Sequence, residues 1–215
     1  MPAGWGVWTS STATGNGTAF TWATAPVANN ATVTASNSFR NLPGASQTWS
    51  SSLAGGTDRA IGWRGNTATR DGSITFTLAN TAGYNFSSLS FQLFTPNSSG
   101  TAATYQLQYQ IGSSGTFSQL AAVAYTNDLA QNPLTVTTIT LTSAQLTALN
   151  NQSGQVTLRW DNTATTGSAF ATLALDNFSY TATAIPEPAT CAALLGVLAL
   201  AGAMLRRRRL QPTGR

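Results

Sequence analysis

From Arg59 onward the chain alternates apolar and polar residues with a period of two. Ile74, Phe76 and Leu78 are interleaved with Ser73, Thr75 and Thr77, and Leu89, Phe91 and Leu93 with Ser90 and Gln92. Tyr105, Leu107, Tyr109 and Ile111 alternate with Gln106, Gln108 and Gln110; Val156, Leu158 and Trp160 alternate with Thr157, Arg159 and Asp161. Successive side chains of a strand point to opposite faces, so each run predicts a strand with one buried and one wet face. A last strand is predicted over Ala171–Thr181, where the phase slips: Leu173 and Leu175 share one parity, Phe178 and Tyr180 the other. A bulge near Asp176-Asn177 would return all four to the core side. Turn residues at Asn80–Gly83, Pro96–Gly100 and Gly112–Gly115 separate the strands. One helical turn is predicted at Ser143–Asn150, where Thr142 and Gln145 have capping-box spacing and Leu146 and Leu149 supply an apolar side. Ahead of Arg59, Trp5-Gly6-Val7-Trp8 and Phe20-Thr21-Trp22 read as short strands among Gly, Asn and Thr. Many short strands with regular turns and no internal repeat of β-helix type predict an all-β fold, an antiparallel β-sandwich of jelly-roll-like form over residues 1–184.

The alternation ends before Pro186-Glu187-Pro188. Ala189–Leu205 is then seventeen residues without a charge, followed by Arg206, Arg207, Arg208 and Arg209. At about 1.5 Å rise per residue this makes a helix of roughly 25 Å, at the short end of what crosses a bilayer. Guanidinium groups resist translocation, so the arginines mark the cytoplasmic end of a single C-terminal transmembrane helix and the sandwich lies on the far side. The prolines hold the preceding peptide extended and free of helix. Glu187 is the one acid between the sandwich and the helix.

Pro-Glu-Pro, a short Ala/Leu/Gly helix and an arginine cluster, in that order at Pro186–Arg209, resemble the PEP-CTERM sorting signal of Gram-negative bacteria. The resemblance implies an exported, inner-membrane-anchored precursor. It further implies recognition by a membrane-embedded exosortase, cleavage near Pro186–Pro188, and release to the cell surface or extracellular matrix. Such proteins accompany exopolysaccharide and biofilm production. The alternative is an ordinary membrane anchor in which Pro-Glu-Pro is only a stiff linker. Residues 59–181 also resemble an ectodomain common among PEP-CTERM proteins, through Asp58-Arg59-Ala60-Ile61-Gly62, Leu78–Gly83, Leu158-Arg159-Trp160 and Leu175-Asp176-Asn177-Phe178. That resemblance implies a fold and no activity. Relatives often carry Glu-Gln-Trp where this chain has Gln92-Leu93-Phe94.

Charge fits this division. Residues 1–184 hold five arginines and five aspartates, so the net charge of +4 is a property of the tail. A pI near 9.8 therefore reports topology and gives no support to nucleic-acid binding. The one cysteine, Cys191, lies in the apolar segment, so the sandwich is predicted to be held by packing without a disulfide. Export also requires an N-terminal signal peptide, and Met1-Pro2-Ala3-Gly4-Trp5 shows neither a basic start nor an apolar core; the true start is expected upstream.

Candidate chemistry is sparse. With neither histidine nor lysine, Ser-His-Asp, Cys-His and Schiff-base chemistry are excluded. Paired aspartates of a glycoside hydrolase stay open in principle, drawn from Asp58, Asp71, Asp128, Asp161 and Asp176, although each has a structural reading in a turn or beside an arginine. The expectation is a protein that is not an enzyme and holds no cofactor. Weak calcium candidates are Asp161, Asp176 and Asn177. Exopolysaccharide is the expected extracellular partner, either through a structural or adhesive role or through a carbohydrate-binding module of the same fold. Sugar rings stack on exposed aromatics. The candidates are Trp5, Trp8, Trp22, Trp49 and Trp63 and the polar stripe Gln106, Gln108 and Gln110, with Trp49 in the polar run Gln47–Ser52 the best of the tryptophans. Trp160, alternating with Val156 and Leu158, reads as core.

Overall fold

The structure, a computed structural model, describes residues 3–9, 13–16, 18–19, 23–26, 38–43, 45, 59–64, 72–95, 102, 104–126, 136–162, 173–186 and 188–209. The alternating segments form strands: β1 (Trp5–Thr9), β2 (Thr18–Ala19), β3 (Ala23–Pro26), β4 (Ser38–Pro43), β5 (Arg59–Arg64) and β6 (Ser73–Leu78). Then follow β7 (Tyr84–Phe94), β8 (Thr104–Ile111), β9 (Ser118–Thr126), β10 (Val136–Thr142), β11 (Val156–Asn162) and β12 (Leu173–Ala184). They make one sheet in the order β2-β1-β6-β11-β8-β9 and another in the order β10-β7-β12-β5-β4-β3. From β5 to β8, and again from β9 to β12, consecutive strands alternate between the sheets. The pairings described between these strands are antiparallel except for β3 with β4, a parallel pair at one edge of the second sheet, which departs from the expected all-antiparallel arrangement. β2, β3, β4, β5, β9 and β10 are strands that the sequence pattern left unassigned, and the strand expected at Phe20-Thr21-Trp22 lies outside the described residues.

The predicted apolar faces meet between the sheets. Val7, Ile74, Leu107, Leu158 and Trp160 of the first sheet pack with Leu89, Phe91, Leu93, Leu173 and Leu175 of the second. Trp160 is central: Phe91 meets it edge-on at 5.3 Å, Phe178 edge-on at 5.6 Å, and Trp5 stacks on it at 5.8 Å. Burying aromatic area of this size, with edge-to-face geometry, supplies core energy that a disulfide would otherwise have to replace. Gly72 lies so close to the Trp63 indole that a Cβ there would collide with it.

The slip in β12 is a bulge, as its phase predicts. Asn177 takes a left-handed φ of 48°, one of the few conformations an asparagine reaches more readily than most residues. Leu173 and Leu175 before it, and Phe178 and Ala182 after it, all join the core. Tyr180 is on that side too, against Phe76, Phe86 and Phe178, yet it keeps 43% of its surface exposed. The helical turn is also present as a short 3-10 turn at Thr147–Leu149. Gln145 Oε1 accepts from the Thr142 N–H at 3.0 Å, which is one half of a capping box; the Thr142 hydroxyl donates to the same oxygen at 3.2 Å and the Gln145 N–H goes to the Thr142 carbonyl, while Leu146 and Leu149 are buried.

A second compact unit begins at Ala184. The apolar segment folds as α1 (Pro188–Arg209), longer than expected at both ends. Proline suits a first helical position, where its missing N–H has no partner to lose, and arginines suit the negative end of the helix dipole. Among the described residues no helix is long and apolar enough to cross a membrane; the uncharged stretch falls several ångströms short of a hydrocarbon core of about 30 Å. Leu195, Val197, Leu198, Leu200 and Met204 are all exposed and lie on different sides of α1, which therefore has no polar face.

Candidate functional sites: an open cleft and a C-terminal sorting segment

The outer face of the first sheet carries the polar side chains of β8 and β11. Arg159, 1% exposed, donates from Nε and Nη2 to Gln108 Oε1 at 2.9 and 2.6 Å, and from Nη1 to the Gly15 carbonyl at 2.9 Å. Its guanidinium lies 3.7 Å from the centre of the Phe117 ring, and Asp161 is 3.6 Å away. Burial pulls the Arg159 pKa down and Asp161 only partly restores it. This cluster uses the residues expected to face sugar. Gln108 is committed to Arg159, and Gln110 is buried with its amide donating to the Gly115 carbonyl at 2.6 Å. Gln106 is half-buried. An alternating polar stripe is thus a support for the chain crossing above it, because buried cations and amides must find partners.

The tryptophans go mostly to structure. Trp63 is buried, Trp5 packs on the core, and Trp8 donates from Nε1 to Thr75 Oγ1 at 2.8 Å. Trp22 and Trp49 lie outside the described residues. The calcium candidates are not brought together. Asp161 faces outward from the first sheet, opposite the inward Trp160. Asp176 faces outward from the second, opposite the inward Leu175, where its carboxylate accepts from the Ala45 and Asn177 N–H groups, each at 2.7 Å. Asn177 donates to Gln92 Oε1 at 2.7 Å. Among the described residues no group of three acids or cysteines is placed to hold a metal ion. The same separation keeps Asp161 and Asp176 from forming a catalytic pair in one groove; Asp58, Asp71 and Asp128 lie outside the described residues.

An open cleft of about 350 Å³ lies at one end of the sandwich. Leu78, Phe86 and Ala182 form its apolar floor, with Tyr84 and Tyr180 half-exposed and Asn80 on the rim. Its turn is tied down. Thr81 Oγ1 donates to the Leu149 carbonyl at 2.6 Å and accepts from the Gln152 N–H at 2.9 Å. The Asn150 and Asn151 side chains accept from the Phe86 and Gly83 N–H groups at 2.8 and 2.9 Å, and the Asn151 N–H donates to the Tyr84 carbonyl at 2.9 Å. Sequence reasoning missed this cleft, which draws on β6, β7 and β12. The turn at Asn80–Gly83 was visible, as was the parity of Tyr180, but only the fold brings Tyr84 and Tyr180 to one opening.

At the other candidate site, β12 ends at Ala184 and α1 begins at Pro188, with Pro186 exposed between them. Arg206 is exposed within the helix, which also includes Arg207, Arg208 and Arg209. Residues 184–209 match the family model described as the PEP-CTERM protein-sorting motif. The chain carries a PEP-CTERM sorting motif. The motif marks an exported, membrane-anchored precursor that an exosortase processes and that is sorted to the cell surface. No curated protein matches the chain. Among solved structures, a cleaved adhesin domain of Lys-gingipain from Porphyromonas gingivalis is similar at 12% identity, covering 84% of this chain and 92% of its own, with a TM-score of 0.45. A family 11 carbohydrate-binding module from Clostridium thermocellum, in complex with a β-1,3-1,4-mixed-linked tetrasaccharide, is similar at 10% identity, covering 87% and 93%, with a TM-score of 0.41. A carbohydrate-binding module specific for non-crystalline cellulose is similar at 12% identity, covering 57% and 75%, with a TM-score of 0.40.

Proposed function

We propose that an exosortase cuts this PEP-CTERM precursor at or near Pro186–Pro188, delivering a non-catalytic β-sandwich without a cofactor to the surface or extracellular matrix. There it has a structural or adhesive role among exopolysaccharide. The observation that carries this is the order of elements after β12: an exposed proline, a helix apolar on all sides, and four arginines at its end. A helix with no polar face needs either a protein core or lipid around it. Lipid suits this one, because arginine stems extend its apolar reach while their charged heads stay in water, and a bilayer thins locally around a short span. The Pro-Glu-Pro segment would then sit at the outer membrane–water boundary, within reach of a membrane-embedded peptidase.

Replacing Pro186, Glu187 and Pro188 together by alanine tests the reading in a host with the matching exosortase. Full-length protein is expected to accumulate in the membrane fraction while the parent chain is shortened and released. Release of the variant at the parent's size would defeat the proposal. A second reading, a carbohydrate-binding module, is favoured by the open cleft with Tyr84 and Tyr180.

A further inference from the structure

We propose that the cleft at Tyr84 and Tyr180 binds neutral pyranose units of a polysaccharide, through ring stacking on the two tyrosines. This deepens the carbohydrate-binding reading and rests on it. Tyr84 is 50% exposed and Tyr180 43%, although large aromatics of a disulfide-free sandwich are otherwise drawn into its core. An exposed aromatic face is what a sugar needs, since a pyranose with equatorial hydroxyls presents a flat C–H face to a ring while its hydroxyls stay hydrated.

The Tyr180 ring and the Tyr84 backbone are also held before any ligand arrives. Tyr180 rests on Phe86 at 5.6 Å and Phe76 at 6.1 Å, and Tyr84 stands on the turn fixed by Thr81, Asn150 and Asn151. A preorganised site loses less conformational entropy on binding. Among the described residues no charged side chain lines the cleft, so these walls offer an acidic sugar no cation and cost a neutral one nothing on entering. Asn80 Oδ1 accepts from the Ala82 N–H at 3.2 Å, which leaves its Nδ2 group to donate to a ring hydroxyl at the rim. The volume is at the lower end of the range of about 300–1,000 Å³ usual for small-molecule sites, enough for one or two sugar rings and not for a buried chain.

The test uses the full chain in detergent micelles and measures its depletion from solution by amorphous cellulose, chitin and dextran, with alginate as the acidic control. The parent is expected to bind at least one neutral polymer and to leave alginate unbound. Tyr84→Ala with Tyr180→Ala should lower that binding at least tenfold, and Tyr84→Phe with Tyr180→Phe should keep most of it, since the ring face survives. Tyr180 touches the aromatic cluster, so Tyr84→Ala alone is measured beside the pair; it leaves those ring contacts intact and should still weaken binding severalfold. Parent binding that the alanine variants leave unchanged would overturn this site while the carbohydrate-binding reading stands. Absence of binding by the parent to every polymer would overturn both, and binding to alginate as strong as to the neutral polymers would overturn the neutral-sugar site while the carbohydrate-binding reading stands.

Discussion

Arg159→Met puts a buried cation to the test. The guanidinium is 1% exposed, gives two hydrogen bonds to Gln108 Oε1 and one to the Gly15 carbonyl, and covers Phe117. Methionine fills much of the same space, so the change isolates the polar part of the interaction. It takes the guanidinium donor away from two acceptors, and a buried acceptor that loses a partner costs about 1–3 kcal/mol. Against this stands relief of burying the charge, the same burial that depresses the Arg159 pKa. Asp161 is left behind but is partly exposed, so water can hydrate it at small cost. The balance predicts a loss of about 2–4 kcal/mol for Arg159→Met. Adding Gln108→Leu removes one of these acceptors and should bring the double variant to within about 1–2 kcal/mol of the parent, a coupling well above the additive expectation. Urea unfolding of the full chain in detergent, followed by tryptophan emission, measures all four corners of the cycle. The reasoning fails if Arg159→Met costs less than about 0.5 kcal/mol, or if the two substitutions simply add.

Two further changes probe the sandwich. Asn177→Val forces a β-branched residue into a left-handed conformation that costs an ordinary residue roughly 1–2 kcal/mol, whereas Asn177→Gly should lose less than half as much; thermal unfolding of the two compares them directly. The buried Tyr105 hydroxyl has no hydrogen-bond partner among the described residues, and burial raises its pKa, with Tyr125 adding to the effect. The folded state therefore keeps this proton where the unfolded chain releases it, so Tyr105 makes stability fall as pH rises above about 10, by up to about 1.4 kcal/mol per pH unit. Tyr105→Phe should flatten that alkaline limb and leave neutral-pH stability equal or higher, as read by urea midpoints from pH 8 to 11.

The alternation located β6, β7, β8 and β11, although the polar residues Ser73 and Thr75 of β6 and Thr157 and Arg159 of β11 are buried where a wet face was expected. The phase slip before Phe178 announced the bulge because a two-residue period leaves no other way to keep Leu175 and Phe178 on one side. β5 was hidden for a physical reason. Ala60 and Gly62 lie buried on its outer side, where Ala60 joins Leu42, Phe94 and Ala174 in a second apolar cluster, so that strand has no clean polar face. Gln108 and Gln110 misled in the opposite direction, since a polar residue reads as solvated until a buried arginine or a turn carbonyl is seen to engage it. The cleft was invisible for a different reason: Tyr84 and Tyr180 are about a hundred residues apart and meet only because β7 and β12 are neighbours in one sheet. The sorting segment was legible throughout, being local in sequence and contiguous from Pro186 to Arg209.

The chain end of the mature protein gives the sharpest test of the sorting account. Mass spectrometry of material recovered from the cell surface or medium should find a C-terminus at or close to Pro186–Pro188 and no peptide from Ala189–Arg209. Recovery of the surface protein with its helix and Arg206–Arg209 still attached, or of the uncut chain from cytosol alone, would contradict it.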